Sequence, residues 1–143
     1  MPDLINSLDQ VIERINAFNA SANKRIIIGI VGKPGAGKST LTEHILNNLP
    51  KGVATIVPMD GYHLSNSQLA RLGLSDRKGA PNTFDSEGYV NLLRRLKKEI
   101  DKDVYFPVFH REIEESYAAD GVVLANTKIV LTEGNYLLLS EMG

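Results

Sequence analysis

The chain of 143 residues contains no cysteine, which excludes disulfides, thiolate metal sites and a cysteine nucleophile. Charge of neither sign dominates. Sixteen basic and 17 acidic side chains give a formal net charge of -1, so bulk charge supplies no attraction to nucleic acid or to an anionic membrane. No apolar run approaches the roughly 18 residues a membrane-spanning helix needs. The opening Met1-Pro2-Asp3-Leu4 has neither the basic nor the apolar region of a secretory signal. There is no internal repeat and no low-complexity tract. What is present is ordinary globular composition, 43% hydrophobic and 23% charged, enough for one domain with a real core. The expectation is a soluble, cytoplasmic protein that binds neither nucleic acid nor membrane.

Leu4, Leu8, Val11, Ile12, Ile15 and Phe18 recur at helical spacing, which predicts an amphipathic N-terminal helix, residues 1–22, ahead of a core from 23 to 143. Arg25-Ile26-Ile27-Ile28-Gly29-Ile30-Val31 reads as a strand buried on both faces, as in a parallel sheet. A glycine-rich turn leads into a helix over 38–49, which Pro50-Lys51-Gly52 stops. Val53–Met59 is a second strand, giving one βαβ unit. Residues 60–85 are polar and irregular, with a short helix near Ser67–Leu72. Residues 86–100 are helical, and Val104–Phe109 is a short extended piece. Val122-Val123-Leu124 suggests an edge strand, and Lys128–Thr132 a third buried strand. Alternating strands and helices imply an α/β layered fold with a mainly parallel sheet.

Gly32-Lys33-Pro34-Gly35-Ala36-Gly37-Lys38-Ser39 matches G-x-x-x-x-G-K-[ST]. A chance match in a chain this long is on the order of 1 in 200 from average residue usage. The motif also follows a strand and opens a helix, the context it requires. Gly35 and Gly37 allow backbone angles closed to other residues. The amides between Val31 and Thr40 can then close around phosphate oxygens at the positive end of the helix. Lys38 can reach terminal phosphates, and the Ser39 hydroxyl suits Mg²⁺, a hard cation that prefers oxygen.

Two acids stand beyond strand ends, where ligands of open α/β sheets gather. Asp60 follows the second strand in Met59-Asp60-Gly61-Tyr62-His63, and Glu133 ends the third in Leu131-Thr132-Glu133-Gly134-Asn135. Asp60 reads as the base for an acceptor or as part of the metal's outer shell, with an Asp-Gly turn as the plain alternative. Glu133 reads as a group serving Mg²⁺ or its waters, or as a loop cap. His63, three residues on, borders the same cleft or is structural. Asp85 is a site residue or the N-cap of the helix that follows. Arg77 and Lys78 lie in a polar loop of unusual composition or are a solvated face, and His110-Arg111 contact phosphate or acceptor or sit on the surface.

Together these residues resemble the P-loop small-molecule kinases that include uridine kinase, phosphoribulokinase and bacterial pantothenate kinase. The segments that carry the likeness are Gly32–Ser39, Met59–His63, Lys78-Gly79-Ala80-Pro81-Asn82-Thr83-Phe84-Asp85 and Glu133-Gly134-Asn135-Tyr136. The third looks most like pantothenate kinase, and the second and fourth like a uridine-kinase-like branch. The resemblance implies an α/β P-loop NTPase three-layer fold. It implies an ATP- and Mg²⁺-dependent phosphotransferase acting on an alcohol of a small metabolite such as a nucleoside, sugar or pantothenate-like compound. Lys38 and its loop (Gly32, Lys33, Pro34, Gly35, Ala36, Gly37, Ser39, Thr40) would hold the β- and γ-phosphates. Ser39 would ligate Mg²⁺ with Glu133 nearby, and Asp60 would activate the acceptor hydroxyl. His63, Asp85, Arg111 and Asn135 would lie on the acceptor side. Members of the family continue past the Glu-Gly strand into a lid helix, two more strands and an adenine-binding segment. The fold is therefore expected to be incomplete at the C-terminus, and the segment alone to lack parts needed for turnover. The alternative function is a regulatory or degenerate nucleotide-binding module without transfer chemistry, and a homodimer is an assembly the reading allows.

Overall fold

The computed structural model describes residues 8–21, 24–31 and 38–134. Helix α1 (Leu8–Ser21) precedes strand β1 (Ile26–Val31) and helix α2 (Lys38–Asn47). Strand β2 (Ala54–Pro58) runs into a 3-10 turn at Met59–Tyr62 and a short helix α3 (Asn66–Leu72). Two further 3-10 turns, Ser75–Arg77 and Pro81–Thr83, lead to helix α4 (Ser86–Lys98). Strands β3 (Val104–His110), β4 (Glu115–Val123) and β5 (Ile129–Gly134) follow.

Strands β1, β5 and β2 form a parallel sheet with β5 in the middle. The last strand among the described residues is thus inserted between the two that the sequence joined as one βαβ unit. The central place goes to the strand with the most continuous burial: Ile129, Val130 and Leu131 are fully buried and Thr132 nearly so. A parallel strand covered on both faces has to be apolar along its length. Its side chains alternate between two cores. Ile129 and Leu131 pack with Ile15 of α1, Ile30 of β1 and Ile45 of α2, with Leu49 just beyond that helix. Val130 packs with Leu92, Leu93 and Leu96 of α4 and with Val104, Phe106 and Val123 of the β3–β4 pair. Each such fully buried side chain contributes about 1.5–3 kcal/mol.

Helix α4 begins where Asp85 accepts a hydrogen bond from the Gly88 amide at 3.0 Å through Oδ1. Its buried stripe, Tyr89, Leu92, Leu93 and Leu96, has the i, i+3, i+4, i+7 spacing of one helical face. Strands β3 and β4 form their own antiparallel pair rather than an edge of the parallel sheet. This corrects the expected short edge strand at Val122–Leu124, because β4 begins at Glu115. Residues Tyr117 to Asp120 are all exposed, so half the strand carries no apolar alternation to read. The register shifts between Phe106 and Val108, and Ala119 takes a positive φ of 57° there.

At the amino end of the sheet Arg25 is 2% exposed. Its guanidinium donates to the carbonyls of Thr127 and Leu96, both at 3.0 Å, and of Leu124 and Ala125 at 3.2 and 3.3 Å. It ties the C-terminal part of α4 to the turn before β5. No helix among the described residues is long and apolar enough to cross a membrane.

Candidate active site

The parallel strands end at one level. Register pairs Glu133 with Ile30 of β1 on one side and with Pro58 of β2 on the other. Strand β1 ends at Val31 and α2 opens at Lys38, so the phosphate-loop motif is bracketed by a strand and a helix, the arrangement it requires. Residues Gly32, Lys33, Pro34, Gly35, Ala36 and Gly37 lie outside the described residues, as do the side chains of Lys38, Ser39 and Thr40 and the whole of Asn135.

Glu133 takes its direction from strand alternation. Ile129 and Leu131 face α2, and Glu133 is next in that series. The Thr42 hydroxyl, one turn along α2 from Lys38, donates to Glu133 Oε2 at 2.8 Å. A half-buried carboxylate is thereby held beside the first turn of the helix that the phosphate loop enters. The other face of β5 is fixed as firmly. Thr132 Oγ1 donates to the Val57 carbonyl at 2.7 Å. Having spent its one proton there, it accepts from the buried Tyr89 hydroxyl. Burial pushes the Tyr89 phenol up to about 12, against the opposing effect of its bond to Thr132.

Asp60 lies two residues past Pro58, in the 3-10 turn at the end of β2. Its main-chain carbonyl accepts from the His63 amide at 3.1 Å and from His63 Nδ1 at 2.7 Å. The residue is half-buried, and its carboxylate makes no hydrogen bond or ion pair with any described residue. The neighbouring Gly61 is required by close approach. A Cβ there would stand 2.0 Å from the Pro107 carbonyl oxygen of β3, so the turn bearing Asp60 is pressed onto the irregular stretch of the hairpin.

His63 forms an isolated antiparallel bridge with Phe84, flanked by hydrogen bonds from Leu64 N to Thr83 O (2.8 Å) and from Asp85 N to Tyr62 O (2.7 Å). Its ring lies between those of Phe84 and Phe109, with centroids at 4.2 and 4.5 Å. Lys78 Nζ stands 5.6 Å from the Phe109 centroid. It also donates to Asn66 Oδ1 at 2.6 Å and to the Glu114 carbonyl in the hairpin turn. Burial first, and then the charge of Asp85, raises the Tyr62 phenol pKa above its usual 10.0.

The structure thus joins Asp60 to His63 and brings Asp85 beside them through the Phe84 bridge. Asp85 is exposed and spends Oδ1 on capping α4. Arg111 is exposed in the hairpin turn, with no contact to Asp60 or Glu133. Its neighbour His110 is held by Asp120 at 2.7 Å and Glu112 at 3.1 Å. Sequence reasoning missed Thr42, the Gly61–Pro107 contact and the latch made by Lys78. For Thr42 a signal existed in its i, i+4 spacing from Lys38, whereas the other two depend on which strand lies alongside.

The donor chemistry suits a hard cation held largely by a nucleotide's phosphates. Glu133 offers a second carboxylate oxygen beside α2. Among the described residues no group of three or more His, Cys, Asp or Glu could cage a metal unaided. A single carboxylate beside the helix that the phosphate loop enters fits Mg²⁺, which usually takes one or two protein carboxylates and completes its shell with phosphates and water.

No family model matches the chain. Among curated proteins it is 33% identical over 148 residues to the "putative uridine kinase" of Schizosaccharomyces pombe, an alignment covering 98% of this chain and 62% of that protein. It is 31% identical over 119 residues to pantothenate kinase of Streptococcus pneumoniae, covering 80% of this chain and 38% of the relative. The chain therefore spans less than two thirds of the length of these relatives. Among solved structures, a "putative fructose transport system kinase" from Silicibacter superposes with a TM-score of 0.84 at 36% identity, covering 94% of this chain and 66% of that one. D-glycerate 3-kinase from Cryptococcus neoformans shares the fold, with a TM-score of 0.70 at 21% identity over 90% of this chain and 52% of its own. A phosphate-loop motif between strand and helix, acids at the carboxyl ends of two adjacent strands, and these likenesses agree: the chain belongs to the P-loop kinases of the uridine kinase and pantothenate kinase type.

Proposed function

We propose that the protein transfers the γ-phosphoryl group of ATP to an alcohol of a small metabolite. The observation that carries this reading is Asp60. The residue is half-buried at the mouth of the sheet, one strand from Glu133, and its carboxylate makes no bond to a described residue. A structural turn would satisfy such a group or leave it in solvent, whereas an acceptor base needs it available.

In this reading the loop amides and Lys38 hold the β- and γ-phosphates and align the γ-phosphorus for in-line attack. Ser39 and Glu133 would hold Mg²⁺, whose chemistry is to neutralise charge on the phosphate oxygens. Thr42 keeps Glu133 turned toward α2. Asp60 accepts the proton of the attacking hydroxyl, and His63, Asp85, Arg111 and Asn135 serve the acceptor. The acceptor is a small molecule, and neither nucleic acid nor membrane takes part.

The test is ADP formation from ATP by the full-length protein, with and without a panel of alcohols. Acceptor-dependent ADP that disappears in Lys38→Ala supports transfer. Nucleotide binding without acceptor-dependent consumption selects a binding module instead.

A further inference from the structure

Of the segment Lys78–Asp85, the transfer described above gives a task only to its last residue. The contacts of the others are specific. The segment runs antiparallel to the residues that follow Asp60. Leu64 N donates to Thr83 O at 2.8 Å, His63 bridges Phe84, and Asp85 N donates to Tyr62 O at 2.7 Å. Inside the segment the buried Thr83 hydroxyl donates to the Ala80 carbonyl at 2.6 Å and accepts from the Gly79 amide at 3.1 Å. These bonds fold it into a strap of defined shape alongside the Asp60 turn.

Lys78 reaches from this strap to a different part of the molecule. Its ammonium donates to the carbonyl of Glu114, at the end of the hairpin turn, and to Oδ1 of Asn66, the first residue of α3, at 2.6 Å. Glu115, the first residue of β4, adds a second point, since its Oε1 accepts from the Asn66 amide at 2.8 Å. Each of these bonds has a charged partner, and such bonds are roughly twice as strong as neutral ones. The end of the hairpin is thereby clasped to α3 and to the strap. The same hairpin carries Phe109, whose ring lies 5.6 Å from Lys78 Nζ and stacks on His63 at 4.5 Å. His63 Nδ1 in turn donates to the Asp60 carbonyl at 2.7 Å. Contacts therefore run without a gap from Lys78 through Phe109 and His63 to Asp60, the kind of packed and hydrogen-bonded series that carries coupling between sites.

Resting on the phosphotransferase reading, we infer that Lys78 is a positioning residue for the transfer. By clasping the hairpin turn to the start of α3 it keeps Phe109 against His63. Through His63 it holds the turn from which the Asp60 carboxylate meets the acceptor. Lys78 moves no proton; it sets where the proton acceptor stands.

The test uses the full-length protein with Lys78→Met, Lys78→Arg and Glu115→Ala. Lys78→Met should lower kcat for acceptor-dependent ADP formation by about 10–10²-fold, the loss that a misplacement of about 1 Å produces, with KM for ATP unchanged. Lys78→Arg keeps the charge and the donors, so it should restore most of that loss. Glu115→Ala removes the other point of the clasp and should fall between them. Nitrogen NMR of the His63 ring gives a readout that does not depend on turnover. The bond to the Asp60 carbonyl fixes the proton of the neutral ring on Nδ1, and in Lys78→Met a share of it should move to Nε2. Unchanged kcat in Lys78→Met overturns the inference, and so does a fall in kcat with the His63 tautomer unaltered. Should Lys78→Met lose cooperative unfolding, Glu115→Ala carries the same two readouts. If the unaltered protein forms no ADP with any acceptor, the transfer reading fails. A tautomer shift in Lys78→Met would then still show the clasp reaching the Asp60 turn, and its absence would remove the clasp as well.

Discussion

The two ends of the parallel sheet bear charges of opposite sign and treat them in opposite ways. At the amino end Arg25 is 2% exposed and gives its guanidinium to four main-chain carbonyls. At the carboxyl end Asp60 and Glu133 are only half-buried. Thr42 occupies one oxygen of Glu133, and no described residue bonds the carboxylate of Asp60. A charge whose bonds are all internal serves the fold, because removing it strands buried carbonyls. A charge held in place with bonding capacity to spare is available to something outside the chain. The same sheet therefore separates a stability end from a chemical end.

That contrast can be broken most sharply at Asp60. Asp60→Asn is expected to lower acceptor-dependent turnover by about 10²–10⁴-fold, with ATP affinity and the urea midpoint unchanged; a lowered midpoint would make Asp60 a structural residue after all. Arg25→Met should do the reverse. Orphaning carbonyls near Leu96 and Leu124 costs about 2–4 kcal/mol in urea unfolding, while ATP affinity holds. Gly61→Ala should blur the two classes. Its Cβ meets the Pro107 carbonyl, so overpacking costs about 1–3 kcal/mol and turnover drops with it, because the displaced turn carries Asp60. Thr42→Val is milder, about 1 kcal/mol of stability, and its mark is a raised Mg²⁺ requirement for turnover once Glu133 loses its tether.

The smallest effect belongs to the hairpin, away from both ends. The bond to Asp120, assisted by Glu112, raises the His110 imidazole pKa above its usual 6.5. A raised folded-state pKa gives stability that is complete below the unfolded value and disappears as pH climbs through the folded one. Amide exchange in β3 and β4, corrected for intrinsic rate, should therefore quicken between about pH 6 and pH 8, and His110→Gln should flatten that dependence.

Much of this was legible from residue order alone. The β-branched run at Ile26–Val31, the motif at Gly32–Ser39 and the apolar run ending at Thr132 are local patterns. They fix strand, loop, helix and strand without knowledge of neighbours. The acids at 60 and 133 were legible for the same reason, since each directly follows a buried run. The hairpin was not. Most of β4 is solvated, and its partner β3 selects it through backbone bonds that leave no mark in side-chain type.

The sequence by itself thus determined which segments are buried strands, where a phosphate-loop motif stands and which carboxylates come at the carboxyl ends of buried runs, because each of those is a property of consecutive residues. Only the tertiary structure decided that β5 enters between β1 and β2, bringing Glu133 level with Pro58 and against Thr42. It also decided that Gly61 must yield to Pro107, and that the His63 ring lies against those of Phe84 and Phe109. Those outcomes depend on packing and register between residues distant in the chain, which no local pattern encodes.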